Sequence, residues 1–315
     1  MAKEVLLSGG FLAAQTRAKL EADFVVRELP PPDARAAFFA EHGGNIGALI
    51  TGGHQRADAA MMDNMPHLAV ISCYGVGYDG IDVKEATKRG IWVCNTPEVL
   101  NDDVADMAMA LMLAVVRRIP AAERFVRGGQ WQKGNFHLTD RLSGRRLGML
   151  GMGRIGGAIV RRALAFGMTI TYHATAKKDT PHQWAKSPAT LAKECDILCA
   201  AMPATPQTTG IVNAEVLQAL GPEGYFVNIG RGALADEPAL VDALQKGIIA
   251  GAALDVFADE PNVPQALMNM DNVVLSPHQG SATTHTRKAM SELTAENAIR
   301  VLHGQPPQAS VNNPR

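Results

Sequence analysis

Two α/β lobes, each a doubly wound parallel sheet with helices on both faces, are the architecture this sequence predicts. Three observations carry the prediction. Short apolar runs alternate with helix-like stretches along both halves of the 315 residues, a glycine-rich turn joins a strand to a helix at 151–156, and a long apolar helix starting at Asn101 separates the two series. Strand–helix alternation implies parallel strands covered on both sides. A chain of this length also exceeds what one hydrophobic core usually organises, so about two domains are expected.

In the first series the strands fall at 5–7, 24–26, 48–50, 69–72 and 91–93, with helices between them such as 58–65 and 83–89. The long helix follows. Asn101 suits its N-cap, Asp102 and Asp103 sit at the positive end of its dipole, and Arg117 and Arg118 sit at the negative end. Pro120 ends this helix or begins a new turn. Its middle is apolar all round, which predicts burial between two units. The second series places six strands at 146–150, 169–172, 197–201, 225–229, 251–255 and 273–276, the pattern of a doubly wound dinucleotide-binding unit. An amphipathic stretch at 284–302 comes after that sheet is complete and is expected to cross back onto the first lobe.

Composition narrows the function classes. With 47% hydrophobic and 19% charged residues the chain reads as an ordinary folded protein, and a net charge of −1 provides no global field for nucleic acid or an anionic membrane. The four cysteines, Cys73, Cys94, Cys195 and Cys199, lack paired metal-ligand spacing and are expected to be buried free thiols, so no metal is predicted. Met1 to Val5 runs straight into a strand without an apolar signal core, and the apolar run 107–116 is too short to span a bilayer. A soluble, cytoplasmic protein is expected.

The turn Gly151-Met152-Gly153-Arg154-Ile155-Gly156 follows a strand and opens a helix at 154–165 that Gly167 stops. In a dinucleotide site Gly151 permits the tight turn, Gly153 lets backbone approach a pyrophosphate, and Gly156 lets helix and strand pack closely. The first N–H groups of the helix, at Arg154 and Ile155, then face the anion. A carboxylate after the second strand would bind a ribose 2′-hydroxyl and select NAD. The sequence there is Tyr172-His173-Ala174-Thr175-Ala176-Lys177-Lys178, with no acid before Asp179. The missing acid removes repulsion from a 2′-phosphate, and Thr175 with Lys177 or Lys178 could bind one. NADP(H) is therefore favoured, with NAD(H) possible.

Three further strand ends carry chemistry. Arg231 follows the fourth strand of the second series, Glu260 the fifth and His278 the sixth. Ligands of open α/β sheets bind at that edge. A guanidinium there can hold a carboxylate and polarise a keto oxygen in a planar geometry that Lys lacks. An imidazole can deliver a proton to a developing alkoxide, with a carboxylate orienting it.

Gly75-Val76-Gly77-Tyr78-Asp79, Cys94-Asn95-Thr96-Pro97, the glycine-rich turn, Arg231, Asp255-Val256-Phe257 with Glu260-Pro261, and Pro277-His278 occur in an order that resembles the D-isomer-specific 2-hydroxyacid dehydrogenases. Asp102-Asp103-Val104-Ala105-Asp106, Arg117-Arg118-Ile119-Pro120 and Gly280-Ser281-Ala282-Thr283 are similar to the glyoxylate/hydroxypyruvate reductase branch and its hydroxyphenylpyruvate-reducing relatives. The resemblance implies a Rossmann nucleotide domain at 100–282, inserted in a discontinuous, flavodoxin-like substrate domain of 1–99 with 283–315, and a homodimer. It implies that Arg231 binds substrate, that His278 is the acid/base and Glu260 its partner, and that the N–H groups of Val76 and Gly77 receive the substrate carboxylate. Pro203, Ile229, Gly230, Asp255 and Gly280 are implied on the cofactor, with Asp255 near the nicotinamide.

The leading expectation is NADPH-dependent reduction of glyoxylate or hydroxypyruvate. A second keeps the fold but takes a bulkier 2-oxo acid, sugar-derived or aryl. A third, of another class, is a dinucleotide-sensing corepressor scaffold.

Overall fold

In the computed structural model, which describes residues 4–10, 12–53 and 55–314, the first series of apolar runs forms one parallel sheet. Met1 to Lys3, part of the expected lead into the first strand, lie outside the described residues. The elements are β1 (Glu4–Leu7), α1 (Ala14–Asp23), β2 (Val25–Glu28), α2 (Arg35–His42), β3 (Ile46–Gly52), α3 (Ala59–Asp63), β4 (Val70–Tyr74), α4 (Val83–Lys88) and β5 (Trp92–Cys94). The strand order is β2-β1-β3-β4-β5, the flavodoxin-like order. Strands β1, β3, β4 and β5 are buried along their whole length, which is why they read as continuous apolar runs without alternation. Asp58 and Asp82 cap α3 and α4 by accepting from the N–H groups of Met61 and Glu85. Helix α3 is shorter than the stretch 58–65, because Asp58 is its cap and Asn64 its end.

The second series begins with α5 (Asn101–Val116) and α6 (Ile119–Arg127). Asn101 is the first helical residue, one position later than a cap. Arg118 adopts φ +47 and breaks the helix, and Pro120 sits in the first turn of α6, so the proline opens a new helix. The apolar surface of α5 is buried on the sheet and the first nucleotide-side helix of its own unit. That sheet follows: β6 (Arg146–Leu150), α7 (Arg154–Ala165), β7 (Thr169–His173), β8 (Gln183–Trp184), α8 (Pro188–Lys193), β9 (Ile197–Ala200), α9 (Ala214–Leu220), β10 (Tyr225–Asn228), α10 (Glu237–Gln245), β11 (Gly251–Leu254), α11 (Gln265–Met268) and β12 (Val273–Leu275). Its order is β12-β11-β10-β9-β6-β7-β8, all parallel. The sequence predicted six of these strands and missed β8, whose two residues are too few to show a periodicity. The strand order reverses between β6 and β9, where a doubly wound sheet opens its ligand crevice.

Helix α12 (Thr284–Leu302) returns to the first sheet and packs on β3, β4, β5 and α1. Its buried face is not simply apolar. Thr286, Ser291, Thr294 and Asn297 are buried beside Met290, Ala295 and Ala298. The Ser291 hydroxyl accepts from Ala13 N–H at 2.9 Å, and the Thr294 carbonyl accepts from the Ser72 hydroxyl at 2.8 Å. Asn297 Oδ1 accepts from the N–H groups of Gln308 and Ala309, each at 3.0 Å. These polar groups can be buried because each is paired.

The chain divides into two compact units, Met1–Leu100 with Thr283–Arg315, and Asn101–Ala282. Leu100, assigned by the sequence to the second domain, clusters with the first. All four cysteines are free and buried, and burial pushes the thiols of Cys94, Cys195 and Cys199 up to about 12, which leaves them unreactive at neutral pH. Among the described residues no helix is long and apolar enough to cross a membrane.

Candidate functional site

The glycine-rich turn separates what the chain needs for itself from what it offers to a ligand. Gly151, at φ +98, donates its N–H to the His173 carbonyl at 2.9 Å, and a Cβ there would lie 2.7 Å from the Ala201 carbonyl oxygen. A Cβ on Gly156 would lie 2.3 Å from the Gly151 carbonyl oxygen. Internal packing therefore demands both glycines. Gly153 differs: its φ is −86, it is exposed, and a Cβ on it would meet nothing within 4 Å. It is the N-cap of α7, and no side chain caps that end. Open space before a bare backbone, followed by the N-terminal amides of Arg154 and Ile155, fits a dinucleotide pyrophosphate. Gly153→Ala should change stability by under about 1 kcal/mol, since no atom is displaced. Cofactor affinity should fall by tenfold or more. Thermal unfolding and fluorescence titration on one sample would test this, and unchanged affinity would remove Gly153 from the cofactor site.

Past β7 the chain bends away from the sheet. Ala174 is buried, whereas Thr175, Ala176, Lys177 and Lys178 are exposed. Tyr172, fully buried, accepts a hydrogen bond from Lys178 N–H at 2.7 Å through its hydroxyl. After β9, Pro203 is exposed and its carbonyl accepts from the Thr208 hydroxyl at 2.8 Å.

The next three strand ends carry Arg231, Glu260 and His278. Asn228, buried at the end of β10, shapes the first of these loops: its Nδ2 donates to the Arg231 carbonyl at 2.8 Å and its Oδ1 accepts from Gly230 N–H at 3.1 Å. Ile229 between them is buried, and Arg231, half-buried, donates from Nη1 to the Gly230 carbonyl at 2.7 Å. Gly232 packs directly on the neighbouring loop, because a Cβ there would lie 1.9 Å from the carbonyl carbon of Phe257. Glu260 Oε1 accepts from Phe257 N–H at 3.1 Å, and Oε2 lies 2.8 Å from Nδ1 of His278. The carboxylate thus spans its own loop and the imidazole.

His278 adopts φ +54, a left-handed conformation unusual for a residue with a Cβ. Its backbone is held by Asp255. The Asp255 carbonyl accepts from His278 N–H at 2.9 Å, Oδ1 accepts from Gln279 N–H at 2.7 Å, and Oδ2 accepts from Gly280 N–H at 2.8 Å. The resemblance implied a place for Asp255 beside the nicotinamide. Each of its carboxylate oxygens also accepts one N–H from the loop that carries His278, and its side chain is buried. Sequence reasoning missed the supporting roles of Asn228, Tyr172 and Gly232. All three stand inside motifs whose neighbours drew attention, and only the buried polar type of Asn228 at a strand end was a usable signal.

In the other unit, the loop of Val76 and Gly77 is fixed through its carbonyls. Gly75 O accepts from Thr96 N–H at 2.9 Å, Val76 O accepts from Asn95 Nδ2 at 3.0 Å, and a Cβ on Gly53 would lie 2.4 Å from Gly77 O. Among the described residues, the N–H groups of Val76 and Gly77 make no backbone hydrogen bond.

A dinucleotide cradle and an Arg, Glu and His on consecutive strand ends of one sheet define an NAD(P)-dependent oxidoreductase. Residues 109–280 match the family model of the D-isomer specific 2-hydroxyacid dehydrogenase, NAD binding domain. The chain is 46% identical to a hydroxyphenylpyruvate reductase of Plectranthus scutellarioides, over 87% of this chain and 88% of that one. It is 44% identical to a glyoxylate/hydroxypyruvate reductase A of Arabidopsis thaliana, over 84% of each. The crystal structure of an NADPH-dependent glyoxylate/hydroxypyruvate reductase from Sinorhizobium meliloti, in complex with NADP and malonate, matches with a TM-score of 0.90 at 38% identity, covering 100% of this chain and 98% of that one. The chain belongs to the D-isomer-specific 2-hydroxyacid dehydrogenase family, in its glyoxylate/hydroxypyruvate reductase branch.

Proposed function

We propose that the protein reduces glyoxylate or hydroxypyruvate to the D-2-hydroxy acid with NADPH, and that His278 is the proton donor. The observation that carries this reading is the 2.8 Å contact between His278 Nδ1 and Glu260 Oε2, with the other carboxylate oxygen anchored on Phe257 N–H. When bound, the nicotinamide supplies the hydride. Gly153, Arg154 and Ile155 would hold its pyrophosphate, Gly151 and Gly156 would shape the turn that presents them, and Pro203, Ile229, Gly230 and Gly280 belong to the same strand-end edge. Asp255 contributes by holding the His278 loop. When the ring carries protons on both nitrogens, Glu260 accepts Nδ1–H and Nε2–H is the group that protonates the keto oxygen, leaving a neutral imidazole. Arg231 binds the substrate carboxylate and stabilises negative charge that develops on that oxygen. The amides of Val76 and Gly77 are the proposed second holders of the carboxylate.

Two observations support NADPH: the absence of an acid at Ala174, and the exposed Thr175, Lys177 and Lys178 that follow it. The Sinorhizobium relative is NADPH-dependent. The similarity to a hydroxyphenylpyruvate reductase favours an aryl 2-oxo acid as the second reading. A panel of glyoxylate, hydroxypyruvate and 4-hydroxyphenylpyruvate, run with NADPH and with NADH and followed by absorbance, tests all of this. The highest kcat/KM is expected for NADPH with one of the two small acids. Preference for the aryl substrate would select the second reading, and no turnover at all would favour a dinucleotide-sensing scaffold. Ala174→Asp should erode the NADPH preference by repelling the 2′-phosphate.

We also propose a cytoplasmic homodimer. Ile119, Val126, Trp131 and Leu138 are large apolar side chains on one segment of the second unit, all exposed, Leu138 to 99%. Four such side chains within one exposed segment are the surface proposed for the contact between copies. Sedimentation should give the mass of two chains, and Trp131→Asp with Leu138→Asp should return it to one.

A further inference from the structure

We propose that Tyr172 is a positioning residue that sets the preference for a cofactor bearing a 2′-phosphate; this rests on the NADPH reading above. Tyr172 lies in β7 with its side chain fully buried, yet its hydroxyl reaches six residues forward. It accepts from Lys178 N–H at 2.7 Å and donates to the Lys178 carbonyl oxygen at 3.2 Å. One hydroxyl thereby holds both backbone groups of Lys178, within the exposed segment.

The other end of the segment is held from the edge strand. Trp184 Nε1–H donates to the Ala174 carbonyl at 3.4 Å, and Ala185 N–H donates to the Tyr172 carbonyl at 2.8 Å. The His173 ring joins the same edge, with Nδ1 at 3.0 Å from the Ala185 carbonyl oxygen. Residues 174–178 are thus pinned at both ends by buried or half-buried aromatic side chains, while Thr175, Lys177 and Lys178 face outward.

Ammonium groups on a loose turn contribute little to binding, because ordering them and screening by water consume most of the Coulomb gain. On a pinned turn the ordering has already been done, so a hydroxyl and an ammonium can converge on one phosphate. The Tyr172 hydroxyl is therefore assigned to the 2′-phosphate and not to the rest of the nucleotide. On this assignment the pyrophosphate cradle at Gly153 and the adenosine are insensitive to where Lys178 sits.

The test is Tyr172→Phe, which removes one oxygen and keeps the buried ring. Affinities for 2′,5′-ADP and for 5′-AMP are measured by titration calorimetry in the full-length protein, so that no turnover is needed. The wild type is expected to favour 2′,5′-ADP. In Tyr172→Phe that ratio should fall about five- to tenfold, the lower end of the range that two lost hydrogen bonds supply, with 5′-AMP affinity unchanged. Trp184→Phe, which releases Ala174, should move the ratio the same way. If the wild type binds both probes equally, the NADPH reading fails and the proposal with it. If the wild type discriminates and Tyr172→Phe keeps the full ratio, the NADPH reading stands and the Tyr172 proposal is overturned. An equal loss of both probes would also overturn it, because the hydroxyl would then be supporting the whole nucleotide site.

Discussion

His278→Ala is expected to lower kcat by roughly 10²–10⁴-fold, the usual contribution of a positioned general acid, while leaving cofactor affinity in place. The ring is aimed by contacts on two sides. Glu260 Oε2 holds Nδ1 at 2.8 Å and is itself fixed through Oε1 to Phe257 N–H at 3.1 Å. The backbone beneath is fixed by Asp255, which takes the N–H groups of Gln279 and Gly280 on its two carboxylate oxygens. Such a residue cannot swing away to serve as filler. Its left-handed backbone, at φ +54, points the same way, since that conformation persists only where surrounding contacts impose it. His278→Asn serves as the control for the fold, because Asn accepts the left-handed region more readily than Ala and supplies no acid. Both variants should lose turnover by absorbance and keep cofactor binding by fluorescence. Turnover that survives in either would remove His278 as the proton donor.

The parts of this site that could be read from sequence are those whose chemistry is local. The glycine spacing and the helix Arg154–Ala165 emerged together because turn, cap and apolar period lie within fifteen or so consecutive residues. Arg231, Glu260 and His278 stood out because each lies in the loop that follows an apolar run, where a charged or titratable side chain is conspicuous. What could not be read depends on contacts across the chain. The polar face of α12 reads as unfavourable for burial until Ser72, Ala13, Gln308 and Ala309 are seen to pair with it. Strand β8 exists because the neighbouring β7 offers it a ladder, not because two residues have a propensity. The resemblance placed Asp255 near the nicotinamide, and only the fold shows that its carboxylate also holds the loop of His278.

Gly232→Ala should be the most damaging of the small substitutions, and for a reason that Gly156 shares and Gly153 does not. No unusual φ requires glycine at this position; the neighbouring backbone does. A Cβ there would lie 1.9 Å from the Phe257 carbonyl carbon and 2.0 Å from its oxygen, distances that only a shift of main chain can relieve. Overpacking of this kind costs about 1–3 kcal/mol. The shift also has a direction. Gly232 follows Arg231 on the loop after β10, and Phe257 N–H anchors Glu260, which in turn holds His278. Forcing the two loops apart therefore separates the Arg231 guanidinium from the His278 imidazole, the proposed substrate holder and the proposed proton donor. A misplacement of about 1 Å between reacting groups is enough to reduce the rate by about 10²-fold, so kcat/KM for the 2-oxo acid should fall at least that far. Cofactor affinity should fall less than kcat/KM, and only through Ile229 and Gly230 on the same loop, because the turn at Gly151, Gly153 and Gly156 follows β6 and lies two strands from β10 in the sheet. Gly153→Ala should show the reverse pattern, with affinity lost and stability kept. Thermal unfolding, cofactor titration and steady-state kinetics on the two variants would separate the pair. If Gly232→Ala were as stable and as active as the wild type, the loops would have to part freely, and Arg231, Glu260 and His278 could not be acting as one rigid set.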